Sequence, residues 1–137
     1  ENNPGRGWVM VRSKELTSDA LTAAMLKGDF YSSSGVMLSK LVRGETTIEI
    51  EVDSTTTTKE LGSEFLFGHP VKKGEPGTTI EFIGPQGEIV QSTSGNKASC
   101  EVKGAYLRGK VTHRVKKEDG SLREYYAWTQ PIFADGR

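Results

Sequence analysis

Cysteine and histidine are scarce in this sequence of 137 residues, and their scarcity excludes several kinds of chemistry. The single cysteine, Cys100, cannot form an intrachain disulfide and rules out a metal site built from cysteines. The two histidines, His69 and His113, lack the spacing of a zinc or two-metal ligand pair. We predict that His69 is a loop residue and His113 a residue on a strand surface, and we expect no metal ligands in this chain. A lone cysteine does not decide between a cytoplasmic and a periplasmic location.

The sequence also lacks a net charge and a long apolar run. Its 18 Lys and Arg residues balance its 18 Asp and Glu residues, so it has no overall positive charge that would attract nucleic acid or an acidic membrane surface. No stretch approaches the roughly 20 apolar residues that span a bilayer. We therefore expect neither a nucleic acid nor a membrane as partner. The nearest approach to a basic patch is interpreted as a solvated strand edge and consists of Lys110, His113, Arg114, Lys116 and Lys117.

The first quarter of the chain contains the one predicted helix. Residues 1–7 have the polar, glycine-containing composition of a flexible lead-in, and Trp8 to Arg12 alternate as in a short strand. A helix is predicted over residues 18–27, because Thr17 is a good N-cap and Gly28 suits the left-handed residue that ends a helix. The apolar stripe of this helix consists of Ala20, Leu21, Ala24 and Met25, and Leu16 has the spacing of a hydrophobic staple with Leu21.

After Gly35 the spacing of apolar residues changes to a period of two. The segment from Thr46 to Val52 alternates isoleucine and valine with glutamate, as on a strand with one buried face. Residues 53–60 are polar and rich in threonine, and we predict a loop or an exposed edge there. Asp119 and Gly120 have the composition of a hairpin turn between two longer strands.

These patterns predict an α+β, mostly β fold: an antiparallel immunoglobulin-like β-sandwich of about seven strands with one N-terminal helix. Residues 1–35 are predicted to form a lead-in, strand, helix and turn, and residues 36–137 the β-sandwich domain. The spacing of apolar residues changes at this boundary from a helical pattern to a period of two. This change suggests that the end of one structural unit is joined to the start of another.

No set of residues predicts catalysis. Residues 32–34 are serines that precede Gly35, but they follow a helix instead of leading into one, so they fit neither a nucleophile elbow nor a phosphate loop. We interpret them as a hydroxyl-lined turn. Glu49 and Glu51 lie on the same predicted strand face and are interpreted as its solvated side.

An aromatic strand with Tyr125, Tyr126 and Trp128 is the best candidate for a binding site. Aromatic rings on a sheet face can stack on sugars or pack against a partner. The alternative is structural: Tyr126 and Trp128 share one strand face and could belong to the core, with Tyr125 outside. Tyr106, at the start of a long strand, is placed like the tyrosine corner of immunoglobulin-like sandwiches, which predicts a structural role.

Two segments of the chain carry a resemblance to a known family. In the first segment the matching residues are Leu16, Thr17, Ala20, Leu21, Ala24, Gly28, Phe30, Tyr31, Ser33 and Gly35. In the second they are Tyr106, Arg108, Asp119, Gly120, Trp128 and Pro131. Together they resemble the C-terminal region of bacterial proteins of the polymerase-and-histidinol-phosphatase (PHP) superfamily, in which a phosphoesterase-like barrel ends in a strand, helix and turn followed by a β-sandwich tail. We expect structural roles for Thr17, Gly28, Tyr31, Gly35 and Tyr106.

The resemblance implies a non-catalytic accessory domain of a metal-dependent hydrolase. In the family, His, Asp and Glu ligands of the barrel bind divalent metals that activate water for phosphoester hydrolysis. None of those motifs occurs in this sequence, so divalent metals are expected only in the parent's barrel, and the chain alone is not expected to be an enzyme. The helix region 17–28 is expected to dock on that catalytic barrel, while the sandwich gives structural support or positions a substrate or partner. The alternative is a free-standing immunoglobulin-like or carbohydrate-binding module that uses Tyr125, Tyr126 and Trp128.

Overall fold

The computed structural model describes residues 7–63 and 66–136, which contain two α-helices, one turn of 3-10 helix (Pro85–Gly87) and eleven strands. In chain order the α-helices and strands are β1 (Trp8–Val11), α1 (Ser18–Leu26), β2 (Phe30–Ser33), β3 (Leu38–Arg43), β4 (Thr47–Val52), α2 (Ser54–Leu61), β5 (His69–Val71), β6 (Gly77–Ile83), β7 (Ile89–Ser94), β8 (Lys97–Glu101), β9 (Tyr106–Lys116), β10 (Leu122–Thr129) and β11 (Ile132–Phe133). Of the predicted lead-in, residues 1–6 lie outside the described residues.

The strands form two antiparallel sheets. The larger sheet has the order β1-β2-β10-β9-β6-β7, with β5 paired to β10 and β11 paired to β9. The smaller sheet has the order β3-β4-β8. This arrangement confirms the predicted α+β, mostly β, sandwich-like fold class. The strands outnumber the predicted seven because segments as short as His69–Val71 and Ile132–Phe133 also pair with the larger sheet.

The core lies between the inner faces of the two sheets. Strand β4 contributes Ile48 and Ile50, and the larger sheet contributes Phe82 and Val111, all of them fully buried. The predicted alternation of β4 is confirmed, since its buried and partly exposed residues alternate along the whole strand. The Ile50 side chain packs onto Gly109, where a Cβ atom would overlap its Cδ1 methyl group. A side chain at this position would therefore displace the Ile50 methyl group.

The predicted hairpin joins β9 to β10. The Ser121 N–H donates to the Asp119 carboxylate at 2.8 Å, and the Gly120 N–H donates to the Lys117 carbonyl at 2.9 Å. Gly120 has φ +80°, a conformation that glycine adopts without steric cost. The local turn chemistry thus fixes the register of the two longest strands.

Helix α1 has the caps that the sequence predicts. The Thr17 hydroxyl accepts a hydrogen bond from the Ala20 N–H at 3.3 Å, and Gly28 follows the last turn with φ +74°. Ala24 is the buried residue of the helix. The predicted staple does not form, because the Leu16 side chain is 91 % exposed.

Helix α2 occupies the segment that was predicted to be a loop or an exposed edge, residues 53–60. Threonine has a low helix propensity, but the Asp53 carboxylate caps this helix by accepting hydrogen bonds from the N–H and the hydroxyl of Thr56 at 2.8 and 2.7 Å. Thr57 and Leu61 of this helix are buried. Capping and tertiary burial therefore outweigh the local preference for extended structure.

Strand β2 connects the N-terminal residues to the rest of the larger sheet. It pairs with β1 on one side and with β10 on the other, where Trp128 lies opposite Ser32. Strands from both sides of the predicted boundary at residue 35 therefore belong to the larger sheet.

Arg43 at the end of β3 holds the C-terminal end of α1. Its guanidinium donates hydrogen bonds to the carbonyls of Gly28 at 2.7 Å, Lys27 at 3.3 Å and Pro131 at 2.8 Å. Burial lowers the pKa of Arg43, and the carboxylate of Asp29 opposes this effect. One side chain thus connects α1, the smaller sheet and the segment that follows β10.

Candidate functional site

The aromatic residues of β10 are divided between the two faces of the larger sheet. Tyr125 is fully buried and Ala127 beside it points into the same core, whereas Tyr126 and Trp128 are partly exposed on the opposite, outer face. The prediction of Tyr126 and Trp128 in the core with Tyr125 outside is therefore wrong. A period of two shows which residues share a face, but both faces of this strand carry aromatic rings, so composition did not show which face is buried.

Tyr125 anchors the chain and is not available to a ligand. Its hydroxyl donates a hydrogen bond to the Leu66 carbonyl at 3.2 Å. A Cβ atom at Gly68, which has φ +64°, would lie 2.7 Å from the Tyr125 ring. The buried ring thus holds the segment before β5 against the core, and the candidate binding set is reduced to Tyr126 and Trp128.

A shallow groove runs beside these two rings on the outer face. It consists of three depressions of about 240, 470 and 520 Å³. The 470 Å³ depression shares Ser34 and Tyr126 with the first and Ser32 and Trp128 with the third. The residues lining this outer groove are Gly7, Trp8, Val9, Ser32, Ser33, Ser34, Leu66, Phe67, Gly68, His69, Tyr106, Arg108, Glu124, Tyr126, Trp128, Thr129, Gln130, Pro131 and Phe133. Short serine side chains lie between the large rings of β10 and strand β1, so hydroxyl groups and flat aromatic surfaces line the same space.

Glu124 fixes the orientation of Tyr126. Its carboxylate accepts a hydrogen bond from Arg114 Nε at 2.5 Å through one oxygen and a short one from the Tyr126 hydroxyl through the other. Burial and the contact with Glu124 raise the pKa of Tyr126 to about 12. Burial alone would raise the pKa of Glu124, but the bonds from Tyr126 and Arg114 outweigh it and hold this pKa below its usual value. At neutral pH the phenol is therefore a fixed hydrogen-bond donor.

Two cations from β9 lie against the rings. Lys110 Nζ is 5.3 Å from the centre of the Trp128 ring and 5.4 Å from that of Tyr126, and its charge is paired with Glu81 at 3.6 Å. The guanidinium carbon of Arg108 is 4.8 Å from the centre of the Trp128 ring. These distances are within the range of cation–π attraction, which stabilises both rings in these positions.

The interpretation of the basic run as a solvated strand edge is wrong for Lys110 and Arg114. Strand β9 lies between β10 and β6, so it is an interior strand, and both cations form ion pairs across it. His113 of the same strand is half-buried, with Nδ1 2.8 Å from the Thr78 hydroxyl, and burial lowers its pKa.

Within the described ranges, no group of three or more His, Cys, Asp and Glu side chains could hold a metal ion. His69 is exposed at the start of β5 instead of lying in a loop. Cys100 is buried, and burial raises the pKa of its thiol. The Ser33 hydroxyl donates to the Val36 carbonyl at 2.6 Å and accepts from the Gly35 N–H at 3.0 Å, so it serves the turn after β2. The groove can stack, hydrogen-bond and attract charge, but among its described residues no serine hydroxyl is hydrogen-bonded to a histidine or a carboxylate, as an activated nucleophile would be.

The residues with predicted structural roles lie at separate places around this site. Tyr31 is buried and accepts a hydrogen bond from the Leu38 N–H at 3.1 Å. Gly35 has φ +141° in the turn that follows β2. The Tyr106 ring contacts Phe133 with 6.2 Å between ring centres. Tyr106 also lines the outer groove, whereas Tyr31, Gly35 and the helix ends at Thr17 and Gly28 do not.

Two residues that organise the groove were not predicted as site residues. Glu124 is two residues from Tyr126 on β10 and therefore shares its face. From the sequence, Arg108 is named only among the residues of the family resemblance. Arg108 is two residues from Lys110, so both lie on one face of β9. The signal that could have found them is cross-strand register, which becomes usable once the β9–β10 hairpin is known.

No family model matches the chain, and no significant match is found among curated proteins or solved structures. The resemblance to PHP proteins therefore depends on the sequence motifs alone. In the described part of the chain, neither helix has the length and apolar character needed to cross a membrane.

Proposed function

We propose that this chain is a non-catalytic module that binds a carbohydrate in the outer groove. The observation that carries the proposal is the outward orientation of Tyr126 and Trp128, next to serine hydroxyls. A sugar ring has an apolar face and a rim of hydroxyl groups, so it is complementary to a flat ring beside hydrogen-bonding groups.

The rigidity of the groove supports this proposal. The Tyr126 hydroxyl is bonded to Glu124, and the Trp128 ring lies against Arg108 and Lys110. Side chains that are already held in place lose little conformational entropy when a ligand binds. Such preorganisation therefore favours the binding of a ligand such as a sugar, which has only a small apolar surface.

Titration with a glycan panel tests the proposal. Trp128→Ala is expected to weaken glycan binding by roughly tenfold or more, because the stacking surface is lost. Ile89→Ala is the matched control, since Ile89 is 56 % exposed on β7 and does not line the groove. Absence of saturable binding to every glycan, or equal binding by both variants, would contradict the proposal.

A second function is favoured by the exposed side chains of α1: accessory-domain docking on a PHP-type catalytic barrel in the same parent protein. Met25 and Leu26 are 44 % and 85 % exposed, although Arg43 and the caps hold the helix firmly in place. Adjacent exposed apolar side chains on an ordered element are typical of an interface. The choice of a barrel as partner comes from the PHP resemblance of the segment that contains α1.

Hydrogen exchange in the full-length parent tests the docking proposal. If α1 docks, its amides are expected to exchange more slowly in the parent than in this chain alone, and Leu26→Glu is expected to abolish the difference. Ile89→Glu places the same charge on another exposed apolar residue and should leave the difference unchanged. A reading frame without a barrel, or equal exchange of α1 in both proteins, would refute this function.

A further inference from the structure

Arg108 is a cation of the outer groove whose charge is not neutralised. It lines the depression beside Trp128 and has no carboxylate within ion-pair distance among the residues that the structure describes. The charges of the neighbouring cations on the same face are neutralised, because Lys110 is paired with Glu81 and Arg114 is paired with Glu124. The unpaired positive charge is therefore confined to one end of the groove.

The Arg108 guanidinium also has unused hydrogen-bonding capacity. Its Nε atom is buried and has no hydrogen-bond partner in the described part of the chain. Because Nε is shielded from the groove, an anion there would bond to the two terminal nitrogens of the guanidinium, and a bond between a guanidinium and an anion is among the strong hydrogen bonds of proteins. The contact with Trp128 at 4.8 Å keeps this group at the groove, so the side chain does not need to be reordered on binding.

The surrounding depression combines polar and apolar walls. Its volume is about 520 Å³, and it is lined by Ser32 and Gln130 as well as by the rings of Tyr106 and Trp128. These walls suit a saccharide ring that carries an anionic group at its edge. The anion would lie against Arg108 while the ring lies on Trp128.

We propose that Arg108 binds an oxyanion, either a carboxylate or a sulfate, of an acidic saccharide in the outer groove. This inference rests on the proposed carbohydrate-binding function and narrows its ligand class to acidic glycans. The planar guanidinium offers parallel N–H donors that match two oxygens of such a group, which a lysine ammonium does not.

Calorimetric titration with matched glycan pairs tests the inference. One pair is a uronic-acid oligosaccharide and its neutral methyl ester, and the other is a sulfated oligosaccharide and its unsulfated form. The protein is expected to prefer the acidic member of at least one pair by roughly ten- to a hundredfold. Arg108→Gln should remove the preference by weakening binding of the acidic member more than binding of the neutral member, and Arg108→Lys should retain only part of the preference. Lys59→Gln is the control: it removes a positive charge from an exposed position of α2 and should leave the preference for the acidic member unchanged.

The outcomes separate this inference from the function on which it rests. Equal binding of acidic and neutral members overturns the role of Arg108 and leaves carbohydrate binding intact. A preference that survives in folded Arg108→Gln also overturns it. No binding of any glycan overturns both proposals. The pair that shows the preference identifies the anion as carboxylate or sulfate.

Discussion

Replacement of Arg43 by methionine is expected to destabilise the protein by about 2 to 3 kcal/mol. Methionine keeps an unbranched apolar stem and removes only the guanidinium. The two short hydrogen bonds to Gly28 and Pro131, at 2.7 and 2.8 Å, are each worth about 1.5 kcal/mol because the donor is charged. Part of this loss is offset because the buried Arg43 Nε has no hydrogen-bond partner among the described residues.

Urea unfolding measures the global effect, and hydrogen exchange shows where it is located. Amides in the last turn of α1 are expected to lose protection first, because Arg43 bonds to the carbonyls at that end of the helix. Arg12→Met is the matched control: the Arg12 side chain is 68 % exposed, with an ion pair of 3.5 Å to Asp29 and an exposed hydrogen bond of 3.2 Å to the Leu41 carbonyl, and its loss should cost no more than about 1 kcal/mol. A similar loss for both variants, or unchanged exchange in α1, would show that Arg43 does not clamp the helix.

Three further perturbations follow from contacts described above. Gly109→Ala should cost about 1 to 3 kcal/mol in urea unfolding through overlap with Ile50, and Ile50→Val should recover part of the loss; additive costs would argue against this contact. The hydrogen bond from Tyr126 to Glu124 stabilises the fold in full below about pH 10, the pKa of an unfolded tyrosine, and this contribution is lost as the pH rises through about 12, the pKa of Tyr126. A near-ultraviolet absorbance titration of Tyr126→Phe should therefore lack part of the late rise, and an unchanged late rise would argue against the bond. Thr17→Ala should lower unfolding stability by about 1 kcal/mol, and a change within error would show that the 3.3 Å cap is weak.

The predictable parts of the fold depend on short-range chemistry. Thr17 and Gly28 mark the ends of α1 because capping involves only a few neighbouring residues. Asp119 and Gly120 specify the hairpin for the same reason. These elements could be derived from the sequence, since the partners of each interaction are close in the chain.

The remaining parts depend on partners that are distant in the chain. Helix α2 forms against the propensity of its threonines, partly because Thr57 bonds to Met37 across 20 residues. The assignment of Tyr125 to the core and Tyr126 to the outer face depends on which side the smaller sheet covers. Arg108 became a candidate only when the register placed it beside Trp128. Periodicity predicted which residues share a strand face, but it did not predict which groups each face contacts.

The central position of β10 has a consequence for the order of folding. This strand pairs with β2, β5 and β9, and the bond between Tyr126 and Ser34 joins residues 92 positions apart. Non-local pairing of this kind raises the entropic cost of the transition state and slows folding. During synthesis, β2 is made long before its partner β10, so its edge stays open to other chains until β10 emerges. We therefore expect the larger sheet to close late, after the hairpin of β9 and β10 has formed.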